Sequence, residues 1–368
     1  MIGEYAQAGV DYRKIEPFKQ MMVGLSKRTL LFPESRNVFI IRLDHGANFQ
    51  YRGTLPHSWQ KVVEGLGNKN WIAEWMCMFA GTGMTYYRDI PVDAALMAVN
   101  DLISHGAMPV LYMDEIASGD SKWFENEKRN VDIAEGFYKI CQLVGMALGG
   151  GESPSLRYLV RPKPPVKSAP IFSGCAIGIV APANRLVTGE KLRPGDHIIG
   201  VTSSGLHANG ISLVIKRAMA LPEKFLTKLP DEKTLGEHAL IPTRSYVALV
   251  EALLEAEIDI HAMLPGTGDG VGKIAFDKRS FTYRIRKWVE VPPLFQFMRE
   301  IGVTLEDCLK TFNWGVGFYI FVPEEEAERT ITTGQKSGYE LYDLGEVEEG
   351  QRCVIFEPEG VILPPPGE

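Results

Sequence analysis

The segment from Val92 to Asp114 constrains the fold most strongly, because it joins an apolar helix directly to an apolar strand. The helix is predicted over Val92–His105, where apolar side chains recur at helical spacing: Ala95, Leu96, Val99, Leu102 and Ile103. The strand is predicted over Pro109–Ile116. Elements of this kind bury apolar surface, so they predict a fold in which helices cover a sheet.

The rest of the chain supplies further helices and strands without a regular βαβ repeat, which favours a mixed α/β or α+β fold. Helices are predicted near Phe18–Lys27, Arg129–Met146, Ala208–Met219, Ser245–Glu257, Leu294–Ile301 and Glu324–Gly338. Strands are predicted at Asn37–Leu43, Gly174–Val180, within Leu192–Gly205, at Val316–Val322, and twice more near the end. A polar and aromatic loop is predicted from Leu43 to about Gln60, and the helix Arg129–Met146 is expected to end in LGGGES (Leu148–Ser153). Leu221–Gly236 is predicted to be an exposed excursion, and the tail from Val361 is expected to fray.

Composition excludes several classes of protein. Lys and Arg number 39 and Asp and Glu number 46, so the net charge of −7 argues against a dedicated nucleic-acid binder. No apolar run reaches the roughly 18 residues of a membrane span, and the acidic N-terminus does not resemble a signal peptide. The five cysteines are widely spaced and never form a C-x-x-C pair, which is typical of free thiols in a cytoplasmic protein.

Carboxylates within or at the ends of apolar segments are candidates for a metal–nucleotide site. Asn100 and Asp101 interrupt the apolar helix, where a buried Asp needs a magnesium or ammonium partner unless it faces solvent. Asp114 ends the apolar strand, and Glu152 follows three glycines. Magnesium is bound through one or two carboxylates together with substrate phosphates, so these acids are candidate ligands.

Two glycine-rich segments are candidate phosphate loops. Glu64–Lys69 combines an acid, two glycines and a lysine, which suits either phosphate binding or a surface turn. Pro265–Lys273 lacks the spacing of a P-loop and of a dinucleotide-binding fingerprint. It is therefore either a structural turn or a loop that contacts substrate.

The segment Ser203–Gly210 leads from a strand into a helix, whose N-terminus could bind an anion. His207 could bind phosphate or move a proton near neutral pH, or it could be a satisfied residue of a helix cap. The histidines form no H-x-x-x-H pair, which argues against zinc, and no G-x-S-x-G motif is present, so hydrolase chemistry has no support.

Taken in order, these segments resemble the aminoimidazole ribonucleotide (AIR) synthetase family, also named phosphoribosylformylglycinamidine cyclo-ligase. The similar blocks are YAQAGVDY (Tyr5–Tyr12), EGLGNK (Glu64–Lys69), Val92–Asp114, GGGES (Gly149–Ser153), PGDHIIGVTSSGLHANGISL (Pro194–Leu213) and TFNWGVGFYIFVP (Thr311–Pro323). They span nearly the whole chain.

The resemblance implies a two-domain AIR synthase-like fold and a homodimer whose N-terminal sheets join. Residues 1–187 would form an ATP-binding domain and residues 188–368 a C-terminal α/β domain. The implied activity is the ATP- and Mg²⁺-dependent closure of the imidazole ring of formylglycinamidine ribonucleotide in purine biosynthesis.

The resemblance also implies roles for particular residues. Lys69 and His207 are the candidate catalytic residues. The candidate nucleotide-binding residues are Glu64, Gly65, Gly67, Asp93, Asn100, Asp101, Gly151, Ser204 and Asn209. The candidate metal ligands are Asp101, Asp114 and Glu152. Ser204, His207 and Asn209 would face either the ribonucleotide or the phosphates of ATP.

Departures from the family pattern leave the acceptor substrate open. Glu64 replaces an aspartate, GGESPSLRY lacks the second acid of the family motif, PGTGDG replaces a T-G-G-G loop, and an aromatic segment, Phe49–Trp59, precedes the lysine loop. One alternative is an ATP-dependent paralogue that phosphorylates another small molecule. A second alternative is a non-catalytic binding protein.

Overall fold

The computed structural model describes residues 4–43 and 46–367, with side chains from Ala6 onward. Asp44 and His45, which fall in the predicted loop, and the side chain of Tyr5 lie outside the described part. The chain divides into two compact units. The first unit contains the residues up to Leu102 together with Met108–Ala183. The second contains Ile103–Ala107 together with the residues from Asn184 onward.

The described residues form helices and strands throughout both units. The helices are α1 (Glu4–Gln7), α2 (Tyr12–Thr29), α3 (Lys69–Phe79), α4 (Ile90–Ile103), α5 (Glu127–Val144), α6 (Ile211–Ala218), α7 (Leu235–Ala239), α8 (Val247–Glu255), α9 (Pro293–Glu300), α10 (Leu305–Thr311) and α11 (Glu324–Lys336). The strands are β1 (Val38–Leu43), β2 (Gly46–Tyr51), β3 (Ser58–Gly65), β4 (Met108–Ala117), β5 (Ala147–Glu152), β6 (Ile171–Val180), β7 (Asp196–Thr202), β8 (Ala262–Pro265), β9 (Phe281–Ile285), β10 (Val316–Pro323), β11 (Leu341–Glu349), β12 (Cys353–Phe356) and β13 (Val361–Leu363). None of the described helices is long and apolar enough to cross a membrane.

The described strands of the first unit form a mixed sheet in the order β3, β6, β4, β5. β4 and β5 are parallel, whereas β6 is antiparallel to both of its neighbours. Helix α4 packs closely on one face, where a Cβ added to Gly178 would lie 2.5 Å from Leu102. The hairpin β1–β2 packs Phe49 near Ile179. Because Gly178 and Ile179 are neighbours in β6 and point to opposite faces, helix and hairpin cover opposite faces of the sheet.

The described strands of the second unit form a sheet in the order β13, β12, β9, β11, β7, β10, β8. Its pairs are antiparallel except for β9 with β12. β10 is buried along its whole length. Because β10 is antiparallel to both β7 and β8, the C-terminal ends of β7 and β8 lie beside the N-terminal start of β10. The Ser203–Gly210 loop follows β7 at this end of the sheet.

The helices and strands predicted from apolar periodicity are confirmed within about four residues, except that α2 begins at Tyr12, six residues before the predicted start at Phe18. The predicted loop up to about Gln60 is wrong, because β2 and the first part of β3 lie there. The rings of Phe49 and Trp59 pack against each other, with their centroids 5.0 Å apart. Leu148–Ser153, predicted as the end of a helix, forms most of β5. The predicted exposed excursion Leu221–Gly236 is wrong in part, because Phe225, Leu229 and Leu235 are buried in it. The tail predicted from Val361 begins instead with β13, which pairs with β12.

Candidate functional site

The acidic and glycine residues predicted for the first unit lie in one row across its sheet. Glu64 in β3 pairs with Gly174 in β6, Gly174 pairs with Asp114 in β4, and Asp114 pairs with Gly151 in β5. Residues paired directly across strands point to the same face. The structure therefore brings Glu64, Asp114 and Gly151, which are distant in sequence, onto one face of the sheet.

Asp114 has the most perturbed environment in this row. Its side chain is buried, and burial raises the pKa of the carboxyl to about 7, with the charge of Glu152 acting in the same direction. A Cβ added to Gly151 would lie 2.4 Å from Oδ1 of Asp114, so residue 151 must be glycine for the carboxylate to lie here. A nearby cation would favour the ionised form of this carboxylate. The environment of Asp114 thus fits a residue that binds a metal ion.

The predicted metal ligands do not form a complete cage. Glu152 is exposed in the next row of the sheet, opposite Glu115, and its Oε1 accepts hydrogen bonds from the backbone N–H of Ser153 (2.8 Å) and from Lys19 (3.5 Å). Within the described ranges, no group of three or more His, Cys, Asp or Glu side chains could hold a metal ion. A magnesium ion that shares phosphate ligands needs only one or two carboxylates. Because Glu152 follows Gly151, the partner of Asp114, it points to the opposite face of the sheet, and the shared metal site of Asp114 and Glu152 stays a prediction.

Lys69 is buried and does not face solvent. It is the first residue of α3, and its ammonium donates a hydrogen bond of 2.8 Å to Oδ1 of Asp93 in the first turn of α4. Both side chains are fully buried. Burial lowers the pKa of Lys69, while the charge of Asp93 opposes that change. The observed partner of Lys69 is therefore a carboxylate, and its contact with phosphate stays a prediction.

The remaining candidates of the first unit lie between β3 and α3 and on α4: of the predicted loop Glu64–Lys69, Glu64 and Gly65 end β3, Lys69 begins α3, and only residues 66–68 connect them. Gly67 has a φ of 73°, which favours glycine, and the backbone N–H of Leu66 donates to the carbonyl of Phe172 at 2.9 Å. Asn100 is buried and Asp101 is half-buried. The polar pair therefore lies within a packed helix, and neither residue faces open solvent.

In the second unit, Asn313 organises the loop Ser203–Gly210. Its Nδ2 donates to the carbonyl of Gly205 at 2.8 Å, and its Oδ1 accepts from Ser203 Oγ at 3.2 Å and from the N–H of Gly315 at 2.9 Å. In the sequence, Asn313 stands out only as part of the TFNWGVG block, which does not predict this role. An Asn just before a buried strand is the signal that could have identified it.

His207 lies inside this loop and supports its backbone. Its Nε2 accepts hydrogen bonds from the N–H of Ser204 (3.2 Å) and, at 3.5 Å, of Arg244, so that nitrogen carries no proton. The ring is buried close to Gly317, where an added Cβ would lie 2.6 Å from Cε1 of His207. This geometry favours the satisfied histidine of a loop over a phosphate ligand, and a catalytic role for His207 stays a prediction.

Ser204 and Asn209 are both half-buried in the same loop. The hydroxyl of Ser204 donates to the carbonyl of Pro242 at 2.6 Å. Asn209 lies beside the glycine-dense segment, since a Cβ added to Gly268 would lie 4.0 Å from its Oδ1. The structure thus brings the two candidate loops of the second unit, Ser203–Gly210 and Pro265–Lys273, together at one end of the strands of its sheet.

Comparison with known proteins identifies the family. Residues 72–180 match the model of the AIR synthase related protein N-terminal domain. Residues 193–357 match the model of the AIR synthase related protein C-terminal domain. The phosphoribosylformylglycinamidine cyclo-ligase of Pyrococcus furiosus is 32% identical over 367 residues, covering 97% of this chain and 98% of the relative. This chain belongs to the AIR synthase related family. The predicted resemblance is confirmed.

Other similar proteins support the same assignment. The Bacillus subtilis enzyme of the same name is 35% identical over 276 residues, covering 73% of this chain and 76% of the relative. The crystal structure of thiamine-monophosphate kinase from Stenotrophomonas maltophilia shares the fold, with a TM-score of 0.60 and 17% identity over 91% of this chain and 96% of that one. The predicted mixed α/β fold of this AIR synthase related protein is confirmed. Its N-terminal family match begins at residue 72, just after the Glu64–Lys69 loop.

Proposed function

We propose that this chain closes the imidazole ring of formylglycinamidine ribonucleotide to give aminoimidazole ribonucleotide, at the expense of ATP. The observation that carries the proposal is the match to the Pyrococcus furiosus cyclo-ligase, at 32% identity over 97% of the chain. The family match over residues 72–180 includes Asp114 and Gly151.

In the proposed reaction, the amide oxygen of the substrate takes the γ-phosphoryl group of ATP, and ADP leaves. A nitrogen of the same substrate then attacks the activated carbon, a C–N bond forms, and the oxygen departs as inorganic phosphate. Phosphoryl transfer depends chiefly on positioning and on neutralising charge. The protein therefore has to hold two anionic substrates close together.

The row Glu64–Gly174–Asp114–Gly151 supports an ATP- and magnesium-binding role for the first unit. Asp114 would hold the magnesium ion together with the phosphates of ATP, and the ion would supply charge neutralisation for those phosphates. Glu152, which points to the opposite face of the sheet, would reach the ion only if the end of β5 moved. Gly65 and Gly67 would let the backbone approach phosphate oxygens. Lys69 and Asp93 would fix the adjoining starts of α3 and α4. Asn100 and Asp101 precede Leu102, which packs on Gly178 beside the start of β4, so they lie toward the other end of that strand from Asp114. Their contact with the nucleotide is a separate part of the proposal.

The loops of the second unit are proposed to bind the ribonucleotide. Asn209 and the neighbouring Gly268 support this role, because an amide side chain beside an open glycine turn can bind a phosphate or a ribose hydroxyl. Ser204 and His207 would shape the loop rather than react.

A homodimer in the cytoplasm is part of the proposal. β3 is at the edge of the first unit's sheet and exposes Trp59 and Val63, the latter at 69%. An exposed edge strand with apolar side chains is suited to pairing with a second copy.

The experiment that tests the function is a product assay. Purified protein, ATP, magnesium and formylglycinamidine ribonucleotide should yield aminoimidazole ribonucleotide and ADP in equal amounts, measured by chromatography with mass detection. The control lacks the ribonucleotide. ADP released at the same rate without ribonucleotide, and no ring-closed product, would contradict the proposal.

Phosphorylation of another small molecule is the second candidate function. The observation that favours it is the segment after Glu152, which departs from the family's acidic motif. In the same assay, ADP formation that depends on a different acceptor would select this alternative.

A further inference from the structure

The segment Ser153–Pro170, which links β5 to β6, is strongly basic in an acidic chain. It contains no Asp or Glu and carries Arg157, Arg161, Lys163 and Lys167, whereas the whole chain has a net charge of −7. A local charge of this sign attracts anionic ligands.

Most of this positive charge is available to a ligand. Arg157 pairs with Asp120, but Arg161, Lys163 and Lys167 are exposed and have no ion pair with any residue in the described ranges. These three cations therefore leave a local positive charge that an anionic molecule outside the chain could neutralise.

The backbone of the segment is held in place. The N–H of Leu156 donates to the carbonyl of Ser118 at 2.6 Å, just beyond the end of β4. The indole N–H of Trp71 donates to the carbonyl of Lys163 at 2.8 Å, and Asn70 donates to the carbonyl of Pro170. The segment therefore runs from the ends of β4 and β5 to the first turn of α3.

This path places the cations beside the proposed nucleotide site. β4 and β5 carry Asp114 and Gly151, and the first turn of α3 directly follows the Glu64–Lys69 loop. Lys69 itself is fully buried against Asp93. Lys163 is tied through its carbonyl to Trp71 in the first turn of α3, and Lys163 and Arg161, two residues before it, present exposed positive charge on this segment.

We propose that Arg161 and Lys163 bind the phosphate oxygens of a substrate at the site in the first unit and set the affinity for that substrate. The inference rests on the proposed function. The shared chemistry is a phosphoryl anion, which either the triphosphate of ATP or the phosphate of the ribonucleotide supplies. Charge-assisted hydrogen bonds from guanidinium and ammonium groups suit such oxygens.

The test compares Arg161→Gln/Lys163→Gln with the wild type. The side chains of both residues are exposed and the segment is held through backbone atoms, so the variant should fold, as circular dichroism would verify. We expect KM to rise roughly tenfold for one phosphate-bearing substrate with kcat nearly unchanged, because two charge-assisted contacts are lost. The matched control is Lys27→Gln/Lys336→Gln, which removes the same charge from exposed helix ends.

The outcomes separate the two sources of phosphate. A higher KM for ATP alone assigns the cations to the triphosphate, and a higher KM for the ribonucleotide alone assigns them to that substrate. Unchanged KM for both, or an equal change in the control, overturns the inference. If the double variant does not fold, the single variants Arg161→Gln and Lys163→Gln are judged by the same criteria.

A binding measurement keeps this inference separate from the proposed function. Calorimetry with inorganic tripolyphosphate should show weaker binding to the double variant than to the wild type and the control. If the wild type makes no ring-closed product, the proposed function fails, and this measurement still decides the role of the two cations. Equal tripolyphosphate binding by all three proteins would then overturn it.

Discussion

Asp114 combines a buried position with a carboxyl group that ionises only near neutrality in the folded chain. Its pKa is raised from 3.8 to about 7. Such a group contributes its full stabilisation to the folded state at a pH below its pKa in the unfolded chain. That stabilisation is lost as the pH rises through its pKa in the folded chain. Asp114 is therefore a local cost to the fold at neutral pH when no cation compensates its charge.

We expect Asp114→Asn to raise the thermal midpoint by roughly 5 °C at about pH 8 in the absence of magnesium. The gain should shrink as the pH falls from about 7 toward 4, because the wild-type carboxyl becomes neutral in the folded chain. The thermal midpoints of the wild type and the variant, measured by circular dichroism across this pH range, test the prediction. Glu115→Gln, at an exposed neighbouring position in β4, is the control. A gain that does not vary with pH would contradict the assignment.

The buried pair Lys69–Asp93 sets a second prediction for single residues. Asp93→Asn should lower the free energy of unfolding by about 3–5 kcal/mol, because it leaves the Lys69 ammonium buried without its charged partner. The double variant Lys69→Met/Asp93→Leu should recover much of that loss. Urea denaturation measures both. A double variant no more stable than Asp93→Asn would show that the pair is not the source of the effect.

Among the elements, the loop Ser203–Gly210 depends on a residue outside it. Asn313→Ala removes the hydrogen bonds to Gly205 and Gly315. Amide hydrogen exchange in residues 203–210 should accelerate roughly tenfold, since each lost bond contributes about 1 kcal/mol. Gln335→Ala, at an exposed position in α11, is the control. Unchanged exchange in the loop would mean that Asn313 does not hold it.

The elements that the sequence predicts well are those whose burial is local and periodic. α4 and α5 carry apolar stripes and β10 is a continuous apolar run, so their positions follow from the sequence alone. β5 contains Gly149, Gly150 and Gly151, which disfavour a strand unless a neighbour packs closely. That neighbour is Leu111 of β4, whose side chain would lie 2.5 Å from a Cβ on Gly149. Such long-range packing cannot be derived from local pattern.

For the whole molecule, the site is harder to predict than its parts. The acids and glycines can be identified by type, but the row that joins Glu64 to Asp114 depends on the register of three strands far apart in sequence. The burial of Lys69 and the supporting role of His207 also come from tertiary packing. Residue type therefore predicts where the chemistry is, and packing decides which atoms can take part.

The oligomeric state gives a prediction at this scale. Val63→Lys on the exposed edge strand β3 should shift the protein from dimer to monomer, because it places charge where apolar contact is proposed. Sedimentation velocity at micromolar concentration measures the change. Leu143→Lys, which alters a side chain 65% exposed on α5, should leave the dimer intact. A monomeric wild type, or a dimer in both variants, would contradict the proposed interface.

The five residues Ile103–Ala107 belong to the second unit although the chain on either side of them belongs to the first. Nδ1 of His105 lies 2.9 Å from the carbonyl oxygen of Val187, and a Cβ on Gly106 would lie 2.2 Å from the carbonyl oxygen of Arg185. A fragment that starts at Asn184 would lack this piece, and one that ends at Ala183 would carry it without its surroundings. The two halves should therefore not be separable by a single cut, and gene fusions or truncations near residue 184 are expected to misfold.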